Sequence, residues 1–283
     1  MNIIFKNYLK QLKSFKFVTV QTNKISVVVI AFNEEANIGN CIQSVALIAD
    51  EVIVVDSFST DRTPEIAENM GANVLQHDFE GHIQQKNWAR KQANYDWVLS
   101  LDSDECLSKE LITQITAIKN NGFSEKDKNG KPIFGYSMNR LNHLSGKPIK
   151  GCGWYPDEKL RLWNNRFGEW TGTNPHDRFE LQNELAEKHI IGDILHYTYA
   201  DRKSVYRQAI KFGNIGAKNL EDKFLLTIFF KWITSPTLKF IKNYLIKKGY
   251  AYGIDGFYIC GCQWIESFIK YGKGFIFNLF RLF

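Results

Sequence analysis

Three carboxylates crowd four positions at Asp102-Ser103-Asp104-Glu105, directly after the apolar run Trp97-Val-Leu-Ser-Leu101. Packing these charges together is unfavourable unless a cation or hydrogen-bond donors compensate. Oxygen-only ligands suit Mg2+ or Mn2+, and Mg2+ typically takes one or two carboxylates and completes its shell with substrate phosphates. A cation here would neutralise charge on a departing diphosphate. An acidic helix N-terminus carries the same residue types, and Leu111, Ile115 and Ile118 do follow at helical spacing.

The surrounding pattern decides what such a turn can reach. Ile25-Ser-Val-Val-Val-Ile-Ala31 is a β-branched run suited to a strand covered on both faces. Asn33-Glu34-Glu35 then opens a helical pattern with Ile38, Cys41, Ile42 and Val45 inward. Strands are expected at Glu51–Asp56, Ala72–Leu75 and Trp97–Asp102, with helices at Pro64–Met70 and Gly81–Ala93 between them. This alternation predicts an α/β fold, a mostly parallel sheet with helices on both faces. Ligands of such sheets bind beyond the C-terminal strand ends, where Asn33, Asp56 and Asp102 all lie. A dinucleotide-binding dehydrogenase is excluded, because its glycine-rich first turn is here the bulky, acidic Phe32-Asn-Glu-Glu-Ala. Past a polar loop at 120–131, strands are expected at Ile133–Arg140, Lys159–Trp163 and Ile190–His196, extending the sheet, and helices beyond Asp201.

The segments "ISVVVIAFNEE" (25–35), "EVIVVDSFSTDRT" (51–63) and "WVLSLDSDE" (97–105) resemble, in order, the nucleotide-sugar motifs of family 2 glycosyltransferases with the GT-A fold. The resemblance implies that Ala31, Phe32, Asn33 and Glu34 line the donor pocket and that Asp56 bonds the base or ribose. It also implies that Asp102 and Ser103 flank the donor, and that Asp104, helped by Asp102, holds the metal. Gln85-Lys86-Asn87 resembles the family's polar helix near the donor, where Lys86 would approach the diphosphate; a solvated helix face would read the same way.

An inverting transfer also needs a base opposite the leaving group. Asn174-Pro175-His176-Asp177 resembles the His-acid pair of the subfamily that builds lipopolysaccharide inner-core β-glucosides. Asp177 is expected as the base and His176 as a positioning or acceptor-binding residue. The subfamily usually carries Glu there, so Asp177 must approach about one methylene closer; a locally capped turn is the structural alternative. Gly153-Trp-Tyr-Pro156 and Lys159–Trp163 resemble the same subfamily, with Trp154 and Tyr155 stacking on an acceptor sugar and Arg161 pairing with a phosphate, or else packing at a sheet edge. The stretch 244–273 resembles the subfamily's tail. Together these imply a UDP-sugar donor, Mg2+ or Mn2+, and a lipid-linked saccharide acceptor. Transfer to polyprenyl phosphate and a non-catalytic nucleotide-sugar or membrane-binding role are the other readings.

Charge is unevenly divided. Residues 1–24 carry five lysines and no acid, 25–200 carry 17 bases against 25 acids, and 201–283 carry 14 against 5. In the last segment 19 of 83 residues are Phe, Tyr or Trp. Aromatics mixed with lysine suit an anionic membrane surface; nucleic acid is not expected as a partner. Phe5, Tyr8, Leu9 and Leu12 share one helical face opposite Lys6, Lys10 and Lys13. No run of 18 apolar residues occurs, the N-terminus lacks a secretory h-region, and five scattered cysteines suggest a reducing compartment. The expected organisation is a basic amphipathic segment (1–24), a catalytic domain (25–200) and a basic helical region (201–283). It would sit, peripheral or monotopic, on the cytoplasmic face of a bacterial inner membrane.

Overall fold

The β-branched run forms β1 (Ile25–Ala31), and it is central because nearly every side chain in it is buried. Val27 and Val29 enter one hydrophobic core and Val28 the other, the two-sided burial that a period-two strand needs inside a covered sheet. The computed structural model describes residues 23–173, 176–182, 185–220 and 224–280. The expected amphipathic face of residues 1–17 lies outside the described residues.

β1 pairs in parallel with β2 (Glu51–Asp56) and β4 (Trp97–Asp102), and β2 with β3 (Asn73–Gln76). Helices α1 (Ile38–Val45), α2 (Thr63–Asn69) and α3 (His82–Lys91) make the crossovers. α1 packs Ile38, Cys41, Ile42 and Val45 into one core, and α3 packs Ala89 into the other. The expected α/β sheet with helices on both faces is therefore present. α1 begins later than the sequence pattern suggests because Asn33 adopts φ +54°, a left-handed turn that a helix interior does not tolerate.

Beyond β4 the sheet becomes mixed. β5 (Glu105–Leu107) and α4 (Lys109–Asn120) follow, and Ser108 caps α4 by accepting from Leu111 N. β6 (Ile133–Leu144), the short β7 (Lys147–Pro148), β8 (Glu158–Asn164) and β11 (Ala186–Tyr199) complete the order β3-β2-β1-β4-β8-β6-β11-β5, with β7 on β6. β9 (Gly168–Thr173) and β10 (His176–Leu181) form a separate antiparallel hairpin. The sequence pattern misses it, and Asp177 lies on strand β10 instead of in a capped turn.

β11 bulges between His189 and Asp193. Gly192, at φ +116°, lets it press on α4, since a Cβ there would lie 2.6 Å from Leu111 N. The bulge sets the register that places His196 opposite Glu105. After β11 come α5 (Arg202–Lys218), opened by an Asp201–Ser204 capping box, then α6 (Leu225–Ile241) and α7 (Gly253–Phe280). A third core, with Leu144, Ile149, Cys152, Val205 and Ile259, joins these helices to the sheet.

Candidate active site

The register Ala31↔Asp56 and Ile30↔Asp102 brings three strand ends to one level. Two loops close over them. Asn33 N donates to Ser59 Oγ (2.8 Å), Asn33 Oδ1 accepts from Thr60 N (2.8 Å), and Glu34 N donates to Thr63 Oγ1 (2.7 Å). Phe32 is left exposed at the rim and Ala31 buried at the floor. Glu34 accepts from Asn37 Nδ2 (2.7 Å); burial, reinforced by the charge of Asp104, pushes its carboxyl upward. Asp56 is fully buried and accepts from both the amide (2.8 Å) and the hydroxyl of Ser59. Each carboxylate oxygen thus accepts one bond and keeps a further lone pair, although the side chain is closed off from solvent.

The acidic turn separates into three environments. Glu105, wholly buried, accepts from Asp102 N (2.9 Å) and Arg161 Nη2 (2.9 Å), with Arg140 3.5 Å away. Asp102 faces Lys86 Nζ at 3.0 Å and Arg161 Nη2 at 3.3 Å. Burial opposes its charge, but Lys86 and then Arg161 outweigh burial and hold this carboxyl well below the usual carboxylate range. Asp102 is thus flanked by two internal cations, while its Oδ1 is buried without a hydrogen-bond partner. Ser103 is buried. Among the described residues Asp104 has no Lys or Arg partner; its Oδ2 faces His196 Nε2 at 3.2 Å.

His196, which the sequence did not single out, is the neighbour of Asp104. Its other nitrogen, Nδ1, lies 2.7 Å from Asn142 Oδ1, so an Nδ1–H donating there orients the ring with Nε2 toward Asp104. At that separation either an Nε2 proton or a cation can join the ring to the carboxylate. The donor set fits Mg2+ or Mn2+ in number and type only if substrate completes it, since no cluster of three or more His, Cys, Asp or Glu that could hold a metal occurs among the described residues.

Gln85, Lys86 and Asn87 each bind a different part of the site. Gln85 Nε2 donates to Ser57 Oγ (3.0 Å) in the loop after β2. Asn87 brackets the Trp170 backbone, donating to its O (2.8 Å) and accepting from its N (3.0 Å). Lys86, 3% exposed, places Nζ 2.8 Å from Asp177 Oδ2 and 4.6 Å over the Trp170 ring. Lys86 is therefore not a solvated helix face; it bridges Asp102 and Asp177. Burial works to raise the Asp177 carboxyl, but the charge and hydrogen bond of Lys86 prevail and hold it low. The hairpin carrying Asp177 is anchored by Phe179 stacked on Trp163 at 3.8 Å and by Trp170 edge-on to Trp163. The side chain of His176 lies outside the described residues.

The remaining expectations divide. Arg161 is 3% exposed; its Nη groups pair with Asp102, Glu105 and Ser100 O (3.3 Å) beneath the acidic turn, while its Nε is buried without a hydrogen-bond partner. Half-buried Trp154 stacks on Tyr199 at 4.8 Å, and Tyr155 OH donates to Asp193 Oδ1 (2.9 Å). Both aromatics thus sit against β11, the strand that delivers His196, and each uses part of its contact surface internally.

Residues 26–124 match the model of glycosyl transferase family 2. An uncharacterized glycosyltransferase of Rickettsia conorii is 32% identical over 243 residues, covering 83% of this chain and 84% of that protein. The lipopolysaccharide core biosynthesis glycosyltransferase LpsC of Rhizobium meliloti is 24% identical, covering 82% and 85%. Glucosyl-3-phosphoglycerate synthase of Mycobacterium tuberculosis, solved with Mn2+, UDP and phosphoglyceric acid, is 26% identical with a TM-score of 0.34, covering 43% of this chain and 44% of that one. With its motifs at three strand ends and a relative matching across most of its length, the chain belongs to glycosyltransferase family 2.

Proposed function

We propose that this glycosyltransferase moves a hexose, glucose in the favoured form, from its UDP-sugar to a hydroxyl of a lipid-linked saccharide such as the lipopolysaccharide inner core, with inversion. Likeness to LpsC along most of the chain supports the acceptor class. In this reading residues 25–200 are the catalytic domain and 201–283 an appended basic region. The observation that carries the chemistry is the division of the acids into Asp104 facing His196 and Asp177 facing Lys86.

Asp104 and His196 would hold Mg2+ or Mn2+, which when bound supplies charge neutralisation for the departing UDP. Asn33, Glu34 and the Ser57–Ser59 loop shape the nucleotide pocket. Asp177, kept ionised by Lys86, takes the acceptor hydroxyl proton. The acceptor oxygen forms its bond to the anomeric carbon as the bond from that carbon to the UDP oxygen breaks, and UDP leaves with the electron pair. A carboxylate held this low is a weak base, so Lys86 must lean toward Asp102 as the proton arrives.

A thermal-shift panel of nucleotide-sugars with and without Mn2+ tests the donor half. Stabilisation by UDP-hexose that depends on metal is expected. Equal stabilisation without metal rejects the Asp104–His196 role, and a preference for another base rejects UDP. Slow hydrolysis of the bound donor distinguishes an enzyme from a silent binding protein.

A further inference from the structure

The last two helices turn apolar side chains toward solvent. In α6, Leu226, Phe230, Ile233 and Ile241 recur at i, i+4, i+7 and i+15, one face of a 3.6-residue helix, and all are exposed. Ile228 and Pro236, on another side, are the buried contacts. In α7, Ile254, Phe257 and Phe268 form a matching exposed row. The rows are neighbours: Trp264 Nε1 of α7 donates to Thr237 Oγ1 of α6 (3.4 Å), and Thr237, Phe240, Gly261, Trp264 and Ile265 line an open groove between them. Exposed Leu245, Ile246 and Tyr250 continue the surface through the connector. A contiguous apolar surface of this kind on a soluble domain marks an interaction site.

Charge selects the partner. Lys231, Lys242, Lys247, Lys248 and Lys273 are exposed and have no ion pair among the described residues. The acids of residues 224–280 are Asp255 and Glu266, and both are internally paired, with Arg202 (2.7 Å) and Lys239 (3.4 Å). A second copy would bring two basic faces together. Residues 1–24, with five lysines and no acid, would do the same. Nucleic acid would leave the phenylalanines and isoleucines in water. An anionic bilayer satisfies both features, and no described helix is long and apolar enough to cross it.

We infer that the outward face of α6, the 242–252 connector and α7 lies in the headgroup layer of an anionic membrane as a monotopic surface. The connector also fixes the loop proposed to meet the acceptor: Cys152 N donates to Lys247 O (3.0 Å) and Lys150 N to Tyr252 OH (2.8 Å). Docking would therefore hold Trp154 and Tyr155 near the lipid surface, on the leaflet facing the sugar-nucleotide pool. The face stands apart from the transfer chemistry, so its test omits donor, acceptor and metal.

The test is co-sedimentation of the full chain with phosphatidylethanolamine–phosphatidylglycerol vesicles against pure phosphatidylcholine vesicles. Salt-sensitive binding to the anionic vesicles is expected. Phe230→Gln with Ile233→Gln should weaken it at least about tenfold. Lys247→Gln with Lys248→Gln should weaken it about fivefold per lysine. Donor hydrolysis and the melting temperature should stay unchanged in both, which separates lost docking from lost fold. Four results overturn the inference. The protein could stay in the supernatant; it could bind neutral and anionic vesicles alike; or it could be a dimer, without lipid binding, that Phe230→Gln and Ile233→Gln dissociate. Binding that appears only after deletion of residues 1–22 assigns the face to the chain's own N-terminal segment and also overturns it.

Discussion

Lys86 Nζ and Asp177 Oδ2 lie 2.8 Å apart, with side chains 4% and 12% exposed, and the same ammonium is 3.0 Å from Asp102 Oδ1. One buried cation therefore joins the acidic turn after β4 to the hairpin that carries the proposed base. Without it, two shielded carboxylates would face each other across the site.

Lys86→Met leaves Asp177 without its direct cation and Asp102 with Arg161 alone, and should cost about 3–5 kcal/mol of stability at neutral pH, read by urea denaturation. The Asp177 carboxyl is depressed in the folded protein. Its stabilising contribution is present above the unfolded value of about 3.9 and is lost as pH falls through the lower folded value. In Lys86→Met the carboxyl rises, so the acid limb of kcat/KM should move to higher pH. Lys86→Arg should keep much of the stability. An unmoved acid limb in Lys86→Met would remove Lys86 from control of the base.

His196→Ala should lower metal-supported UDP affinity at least about tenfold by calorimetry, while UDP binding without metal is unaffected. Asn142→Leu, which removes the acceptor that orients the ring, should produce a smaller loss in the same direction. Equal metal dependence in all three proteins would argue that Asp104 works without the histidine.

Arg161→Met addresses whether this arginine is internal or meets the acceptor. It strips the buried Glu105 of its nearer cation, so a loss of about 3–5 kcal/mol is expected. KM for the acceptor should hardly change in the protein that remains folded. A large rise in acceptor KM at undiminished stability would restore the phosphate-binding role.

Asn87→Ala removes both hydrogen bonds to the Trp170 backbone. Stability should fall by about 1–3 kcal/mol, as two buried backbone groups lose their partner. Because the hairpin positions Asp177, kcat should fall while donor affinity is retained. Loss of donor affinity at constant kcat would place Asn87 on the nucleotide side.

The strand ends were legible because their signals are local. A β-branched run must be a buried strand, and side chains at its end must face the ligand crevice, which located Asn33, Asp56 and Asp102. The cation partners were not legible. Arg161 is 59 residues from Asp102 and Lys86 is 91 from Asp177, so pairing depends on strand order, which residue types alone do not encode. His196 was hidden for the same reason. It reads as the last residue of an ordinary strand until the Gly192 bulge fixes its register against β5. A glycine inside a strand pattern was the available signal for that bulge. The 168–181 hairpin escaped because its alternation is short and broken by Gly, Asn and Pro.

The central claim, that Asp177 accepts the acceptor proton while Asp104 and His196 serve the donor, is tested most directly with Asp177→Asn. Steady-state transfer to a hydroxyl acceptor should fall by about two orders of magnitude or more, with UDP-sugar affinity in Mn2+ within about threefold of the parent. Turnover near the parental rate with donor binding intact would contradict the assignment and would favour an acceptor oxygen that is already ionised, such as a polyprenyl phosphate.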